Sequence, residues 1–322
     1  MITTICLNPS FDKTLKSSSI RLGELNRTEL VKEEVSGKGI NVARILKLLN
    51  EKVNCIGCLG KDTENYFMSE INDMNISFFY VLLSGKTRTN LKIMDETTKK
   101  VTEINELGPS ITPNQLIDFK QLLLENTKQS NYIVISGSIL SGCPADFYKQ
   151  IINIMQNKKC ILDVSGEAFK LGVEAKPFLV KPNLEELETF VGHKLTSINA
   201  VQKASLELIK CGAENVVVSL GEKGALLVNE KEAYFYPPLT VDVKSTAGAG
   251  DALVSGIVYA LQNGINLKQA VKHGVAMATI SVRTMGTVPD TINSIADILN
   301  KVEIIPLLTN NTKECFFENY LT

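Results

Sequence analysis

The segment Lys244-Ser245-Thr246-Ala247-Gly248-Ala249-Gly250-Asp251 stands directly ahead of an apolar run, Ala252 to Leu261, that reads as a helix. Two glycines let the backbone turn tightly and come close to a ligand. The first amides of the helix then point outward with the positive end of its dipole, so negative charge developing on a phosphoryl group would be stabilised there. Asp251 sits at the same helix start, where the dipole favours its ionised form, and could accept a proton from an attacking hydroxyl. The same residues read equally as a glycine turn with an Asp N-cap. No Gly-Lys-Ser/Thr follows the glycines, which excludes a Walker A loop, and the third glycine of the dinucleotide fingerprint is missing.

Two further segments could carry chemistry. In Ser36-Gly37-Lys38-Gly39-Ile40-Asn41 a second glycine turn enters a helix; Gly37 and Gly39 permit close approach, and Lys38 and Asn41 could reach hydroxyls or a phosphate. A loop with a solvated lysine is the plainer reading. In Lys181-Pro182-Asn183-Leu184-Glu185-Glu186, Asn183 followed three residues later by Glu186 fits a reciprocal helix cap. A cation bound through water would use the same two side chains. Cys55 and Cys58 have the spacing of half a zinc site, but no second pair follows and His is almost absent, so core thiols are the default.

These segments must be positioned by something. Short apolar runs at Thr3–Leu7, Val53–Cys58, Tyr132–Ser136, Ile161–Val164, Phe178–Val180 and Val216–Ser219 alternate with helical patterns such as Gly39–Leu49 and Leu253–Leu261. Strand–helix alternation of this kind predicts an α/β fold with a mainly parallel sheet covered on both faces. Thr14–Val35 and Ile76–Ile104 break the rhythm with alternating, partly polar patterns and no amphipathic helix between. They predict a small antiparallel sheet projecting over a ligand cleft as a lid. The stretch from Leu307 to Thr322 reads as a poorly ordered tail.

Composition narrows the class. The 322 residues are 44% hydrophobic and 21% charged, which supports a sizeable core. A net charge of −1 argues against a general nucleic-acid binder. No apolar stretch reaches the length of a membrane span, and the first residues read as a strand rather than a signal peptide. Seven scattered cysteines suggest reduced thiols in a cytoplasmic compartment.

Taken in order, Leu7-Asn8-Pro9-Ser10-Phe11-Asp12, Gly37-Lys38-Gly39-Ile40-Asn41, Ser136-Gly137-Ser138, Lys181-Pro182-Asn183 with Glu186, Ser219-Leu220-Gly221 with Gly224, and Gly248-Ala249-Gly250-Asp251 resemble the PfkB family of ribokinase-like carbohydrate kinases. Gly37-Lys38-Gly39 and the stretch Thr87-Arg88-Thr89-Asn90-Leu91-Lys92 are similar to the hexose-phosphate branch, and Ser36 departs from it where Gly or Ala is usual. The resemblance implies a ribokinase-like three-layer α/β/α kinase domain over residues 1–306, ATP as phosphoryl donor and Mg²⁺ as its counter-ion. It implies a phosphorylated hexose as acceptor, fructose 1-phosphate ahead of tagatose 6-phosphate, and a possible homodimer through the lid. Asp251 would be the general base, and the amides of Gly248, Ala249 and Gly250 an anion hole. Asp12, Gly37 and Asn41 would hold sugar hydroxyls, with Ser138 beside them. Lys38, Arg88 and Arg27 would bind the existing sugar phosphate. Lys181, Asn183, Ser219, Gly221, Gly224 and Gly250 would line the nucleotide, and Asn183 and Glu186 would organise Mg²⁺ through water.

Overall fold

The computed structural model describes residues 1–307; the rest of the expected tail lies outside the described residues. In chain order the elements begin with β1 (Ile2–Cys6), β2 (Ser10–Ser17), β3 (Glu29–Ser36), α1 (Lys38–Leu48), β4 (Val53–Gly60), α2 (Glu64–Asp73) and β5 (Ser77–Leu83). There follow β6 (Arg88–Asp95), β7 (Val101–Asn105), α3 (Pro113–Asn126), β8 (Tyr132–Ser136), α4 (Phe147–Ile154), β9 (Lys159–Asp163), α5 (Gly166–Val173), β10 (Leu179–Val180) and α6 (Leu184–Val191). The remainder is α7 (Ile198–Lys210), β11 (Asn215–Ser219), β12 (Ala225–Asn229), β13 (Ala233–Tyr236), α8 (Ala249–Gln262), α9 (Leu267–Ser281), α10 (Ile295–Lys301) and β14 (Ile305–Leu307).

Ten strands form one sheet in the order β14-β13-β12-β11-β10-β9-β8-β1-β4-β5. From β5 across to β11 every neighbouring pair is parallel, and β11 to β14 run antiparallel. Successive side chains of a strand face opposite sides, and both sides here are apolar. Ile2, Val134, Ile161 and Val217 pack into one core with residues of α1, α8 and α9. Their neighbours Ile5, Ile133, Ile135, Leu162, Val216 and Val218 pack into a second core with residues of α3, α4, α5 and α7. Continuous Val/Ile runs are what a sheet buried on both faces requires, and the result is the expected three-layer arrangement. No helix among the described residues is long and apolar enough to cross a membrane.

The second sheet has four strands in the order β3-β2-β6-β7. Its boundaries differ from the sequence expectation. Ser77–Leu83 belongs to the edge of the large sheet, paired parallel with β4 from Asn54↔Ser77 to Gly60↔Leu83. As an edge strand it leaves Ser77 and Leu82 exposed while Phe78 packs into one core and Val81 and Leu83 into the other, and in sequence that mixture reads like a free-standing ribbon. The small sheet instead starts earlier, at Ser10, and its central pair β2–β6 is parallel, not antiparallel. Phe11 anchors it to the main body by stacking on Tyr66 (5.3 Å between ring centroids) and meeting Phe67 edge-on (5.4 Å). Leu307, expected to open the tail, pairs with Ala233 in β14.

The helices α8 and α9 are held unusually close along their length. A Cβ on Gly256 of α8 would lie 2.5 Å from the His273 carbonyl oxygen of α9, and one on Gly274 would lie 2.6 Å from the Leu253 carbonyl oxygen. Only glycine allows that approach, which fixes the axis of α8 and with it the position of its first turn.

Candidate active site

The glycine segments meet where the parallel strands end at their carboxyl termini, the usual position of a ligand cleft in an open α/β sheet. Gly248, in the left-handed region at φ 78°, ends the loop before α8. A Cβ there would collide with the Thr287 carbonyl, so the turn admits no side chain. The N-cap is therefore Gly248, and Asp251 sits in the first turn rather than capping it. The Ala249 amide turns back toward the Thr246 carbonyl at 3.3 Å. The Gly250 and Asp251 amides lie in the first turn, before intrahelical acceptors become available, and face the cleft with the positive end of the dipole.

Asp251 is 5% exposed. Asn41 Nδ2 donates to its Oδ2 at 2.8 Å. Sequence reasoning placed Asp251 where the dipole keeps it ionised at ordinary pH; burial acts the other way and is larger. Desolvation pushes its pKa up to about 6, helped by the nearby Asp163 and opposed by Lys38, the Asn41 hydrogen bond and Lys181. A carboxylate with its pKa close to working pH is suited to taking a proton and giving it up.

Both polar atoms of Asn41 have partners within the site. Its Nδ2 serves Asp251, and its Oδ1 lies 3.3 Å from the Ser36 hydroxyl and 3.3 Å from the Thr287 hydroxyl. The Lys38 ammonium lies 3.1 Å from Asp163 Oδ1, which sets it on the Asp251 side of the cleft. Lys181, 4% exposed, reaches the same oxygen at 3.2 Å. Its Nζ also lies 3.5 Å from where a Cβ of Gly250 would be, directly against the start of α8. Burial opposes the charge on Lys38, but Asp163 and Asp251 outweigh it and raise its pKa. Burial likewise disfavours the charged form of Asp163, yet Lys181 and Lys38 outweigh it and hold that carboxyl below its ordinary value. Asp163 Oδ2 is buried without a partner.

Asp12 on β2 lies at the base of the small sheet. Ser10 Oγ donates to its Oδ1 at 2.7 Å and Asn90 Nδ2 at 3.0 Å, while the Lys92 ammonium meets Oδ2 at 2.8 Å. Burial opposes its charge, but Lys92 and these hydrogen bonds hold its pKa below the usual carboxylate value. Arg88 borders an open cavity of about 510 Å³ together with Lys86, Glu106 and Gly108. One Nη donates weakly to the Glu106 carbonyl at 3.4 Å, and its Nε is buried with no acceptor. Ser138 is exposed at the cleft, its hydroxyl 3.3 Å from Asn8 Nδ2. Arg27 is exposed in the loop between β2 and β3, and among the described residues its side chain has no ion-pair partner.

Asn183 and Glu186 form a complete capping box on α6: Glu186 N donates to Asn183 Oδ1 at 2.8 Å and Asn183 N to Glu186 Oε2 at 2.9 Å. That uses one oxygen of each and leaves Glu186 Oε1. Asn183 also bridges to Ser219 beside it. Gly221 (φ 62°) and Gly224 (φ 97°) shape the turn that follows β11. At Gly224 a Cβ would strike the Tyr236 carbonyl. Cys55 and Cys58 lie buried on β4, where desolvation raises both thiols, and among the described residues no group of three or more His, Cys, Asp or Glu could hold a metal ion.

Asp163, Glu34 and Thr287 were not singled out from sequence, and Asn90 and Lys92 entered only within the stretch Thr87–Lys92, without a role of their own. Asp163 did carry a signal, a carboxylate closing an apolar strand, which is rarely left unpaired. Thr287 carried none.

A family model described as the pfkB family carbohydrate kinase matches residues 7–293. The 1-phosphofructokinase of Haemophilus influenzae is 34% identical over 306 residues, covering 94% of this chain and 97% of its own. That of Escherichia coli K12 is 36% identical over 280 residues, covering 86% and 88%. Among solved structures, phosphofructokinase-2 from Escherichia coli in complex with fructose-6-phosphate matches with a TM-score of 0.85 at 29% identity, over 93% of this chain and 98% of that one.

Proposed function

The chain belongs to the pfkB family of carbohydrate kinases, an ATP-dependent sugar kinase, and from that premise we propose that it phosphorylates fructose 1-phosphate to fructose 1,6-bisphosphate. The coarser assignment, a phosphofructokinase, is supported by relatives that bear this name over nearly their whole length. The single observation that carries the chemistry is the buried Asp251, its pKa pushed up to about 6, in the first turn of a helix whose free amides lie beside Lys181. Asp251 takes the proton of the acceptor's 6-hydroxyl as that oxygen attacks the γ-phosphorus of ATP. The bond to the ADP oxygen breaks on the opposite side. The Gly250 and Asp251 amides and Lys181 meet the charge that spreads over the transferring group.

Magnesium fits the acidic side of this cleft. The unpartnered Asp163 Oδ2 and the free Glu186 Oε1 are oxygen donors of the kind that hold it through water. Bound there it would neutralise the phosphates of ATP. Lys181, Asn183, Ser219, Gly221 and Gly224 line the nucleotide in this reading.

On the acceptor side, Asp12 and Ser138 face the sugar, and Arg88 binds the phosphate already present. Its unsatisfied Nε beside a cavity within the size range of small-ligand sites supports this. A guanidinium fork matches phosphate oxygens. The second sheet acts as a lid, and its outer face pairs two copies into a homodimer. The six described cysteines are all free, in keeping with a reducing cytoplasm.

ADP production with fructose 1-phosphate, tagatose 6-phosphate, fructose 6-phosphate and free fructose tests the assignment. Fructose 1-phosphate should give the highest kcat/KM. Preference for another phosphosugar would move the substrate and keep the chemistry; free fructose turned over equally well would overturn the phosphosugar reading.

A further inference from the structure

Glu34 belongs to the small sheet, yet its carboxylate does not face solvent. It is 8% exposed, on β3 directly opposite Asp12 of β2. Glu34 Oε2 meets Arg44 of α1 at 2.9 Å and Lys32 at 3.1 Å. Its Oε1 accepts from the Thr287 hydroxyl at 3.2 Å and from the Thr287 amide at 3.4 Å. Thr287 touches the reaction centre twice. Its carbonyl occupies the space that Gly248 leaves by lacking a side chain, and its hydroxyl lies 3.3 Å from Asn41 Oδ1. Asn41 in turn donates to Asp251 at 2.8 Å. Glu34, Thr287 and Asn41 thus link the root of the small sheet to Asp251 and to the turn before α8, although Glu34 and Thr287 are 253 residues apart in sequence.

We infer that Glu34 is a positioning residue: acting through Thr287 and Asn41, it makes the placement of Asp251 depend on the placement of the small sheet over the sugar. The inference rests on the reading of Asp251 as general base. Mechanically, an amide whose oxygen is anchored presents its nitrogen in one direction. The single hydrogen of the Thr287 hydroxyl is shared between Glu34 Oε1 and Asn41 Oδ1, so Glu34 fixes where Thr287 sits, and Ser36 with Thr287 holds Asn41 Oδ1 so that Nδ2 is aimed at Asp251; with Thr287 displaced, Ser36 alone holds that oxygen. Movement of β3 with Glu34 would carry Thr287 away from Asn41 and from the loop behind Gly248, leaving Asn41 Oδ1 with Ser36 alone. The base would then be fully aligned only with the sheet seated, which disfavours transfer to water when no sugar is bound.

The test is Thr287→Val, which keeps the shape and removes the hydroxyl, together with Thr287→Ser, Glu34→Gln and Asp251→Asn in the full chain. Besides Asn41, the charged groups facing Asp251 are Lys38 from α1, Asp163 from β9 and Lys181 after β10, and all three stay in place in these variants. Those facing Glu34 are Arg44 and Lys32. Loss of the Asn41 anchor weakens a hydrogen bond to the ionised carboxylate. In Thr287→Val the acidic limb of the kcat/KM profile should therefore rise by roughly half a pH unit, the size a single hydrogen bond carries. Glu34→Gln should move it in the same direction, KM for ATP should hold, and Thr287→Ser should restore the wild-type limb. Lowered kcat with the limb unmoved, or a Ser variant no better than Val, would mean a packing role alone and overturn the inference. If Thr287→Val fails to fold, Glu34→Gln and Thr287→Ser decide by the same limb. An active Asp251→Asn would instead sink the general-base reading beneath it, so the two failures are distinguishable.

Discussion

Asp251 is where activity and stability pull against each other. In the unfolded chain it releases its proton near 3.8, in the folded protein near 6, so between these values the folded state holds the proton more tightly. Stability from this group is therefore fully present below pH 3.8 and falls as pH rises through 6. At 1.36 kcal/mol per unit the loss is up to roughly 3 kcal/mol. Asp251→Asn should abolish turnover by about 10²–10⁴-fold, the usual worth of a general base. It should also unfold at higher denaturant than wild type at pH 7.5, with the gap closing toward pH 4. A variant within about threefold of wild-type kcat would remove Asp251 from the mechanism, and equal stability at pH 7.5 would contradict its raised pKa. Arg88 allows a second check at this scale. Losing a charge-assisted contact typically costs about 1.5–3 kcal/mol, roughly ten- to a hundredfold in affinity. Arg88→Ala should raise KM for fructose 1-phosphate by that factor and leave KM for ATP nearly unchanged; equal effects on both would deny it the phosphate.

At the scale of elements, the lid reading separates strands that look alike in sequence. Ser10–Ser17, Glu29–Ser36, Arg88–Asp95 and Val101–Asn105 form the small sheet, whereas Ser77–Leu83 is built into the large one. Hydrogen exchange in the first four should slow when a saturating sugar phosphate is added, while Ser77–Leu83 stays unchanged. Uniform slowing across all five, or none, would speak against a separately moving lid. The parallel strands and the helices α1 and α8 were legible because both signals are local: Val/Ile runs buried on two faces, and apolar residues at helical spacing. The extent of the small sheet was not, since a partly polar strand pattern cannot say which neighbour the strand pairs with. The site was legible where glycine is required by backbone geometry, at Gly37 and Gly248. Lys38 was visible as a cation in a loop, but its partner Asp163 lies 125 residues away, and only the order of strands brings them together. The same holds for Asn41 and Asp251, 210 residues apart, whose hydrogen bond sets the expected sugar ligand directly against the expected base.

On the scale of the whole molecule, the small sheet is the part that does not look finished. Its edge strands are β3 and β7, and on them Leu30 is 53%, Val31 49%, Val101 56% and Ile104 53% exposed. Leu22 and Leu25, in the loop before β3, are 96% and 81% exposed. Single exposed apolar residues are ordinary, but a group of them on unpaired edge strands invites association. Helices cover both faces of the large sheet, and on its edge strand β5 the exposed large apolar residue among those described is Leu82, at 39%. A second copy offering the same surface through a two-fold axis would cover both sets at once. The near-neutral net charge of −1 places little long-range repulsion in the way. Sedimentation velocity on the wild type at micromolar concentration should therefore give a dimer, and the double variant Leu30→Glu/Ile104→Glu a monomer. In that variant the sheet loses its outer support, and KM for the sugar phosphate should rise more than KM for ATP, since only the acceptor lies beneath it. A wild type that sediments as a monomer, or a charged variant that remains dimeric, would place the subunit contact elsewhere or remove it, and the exposed edge would then need another occupant.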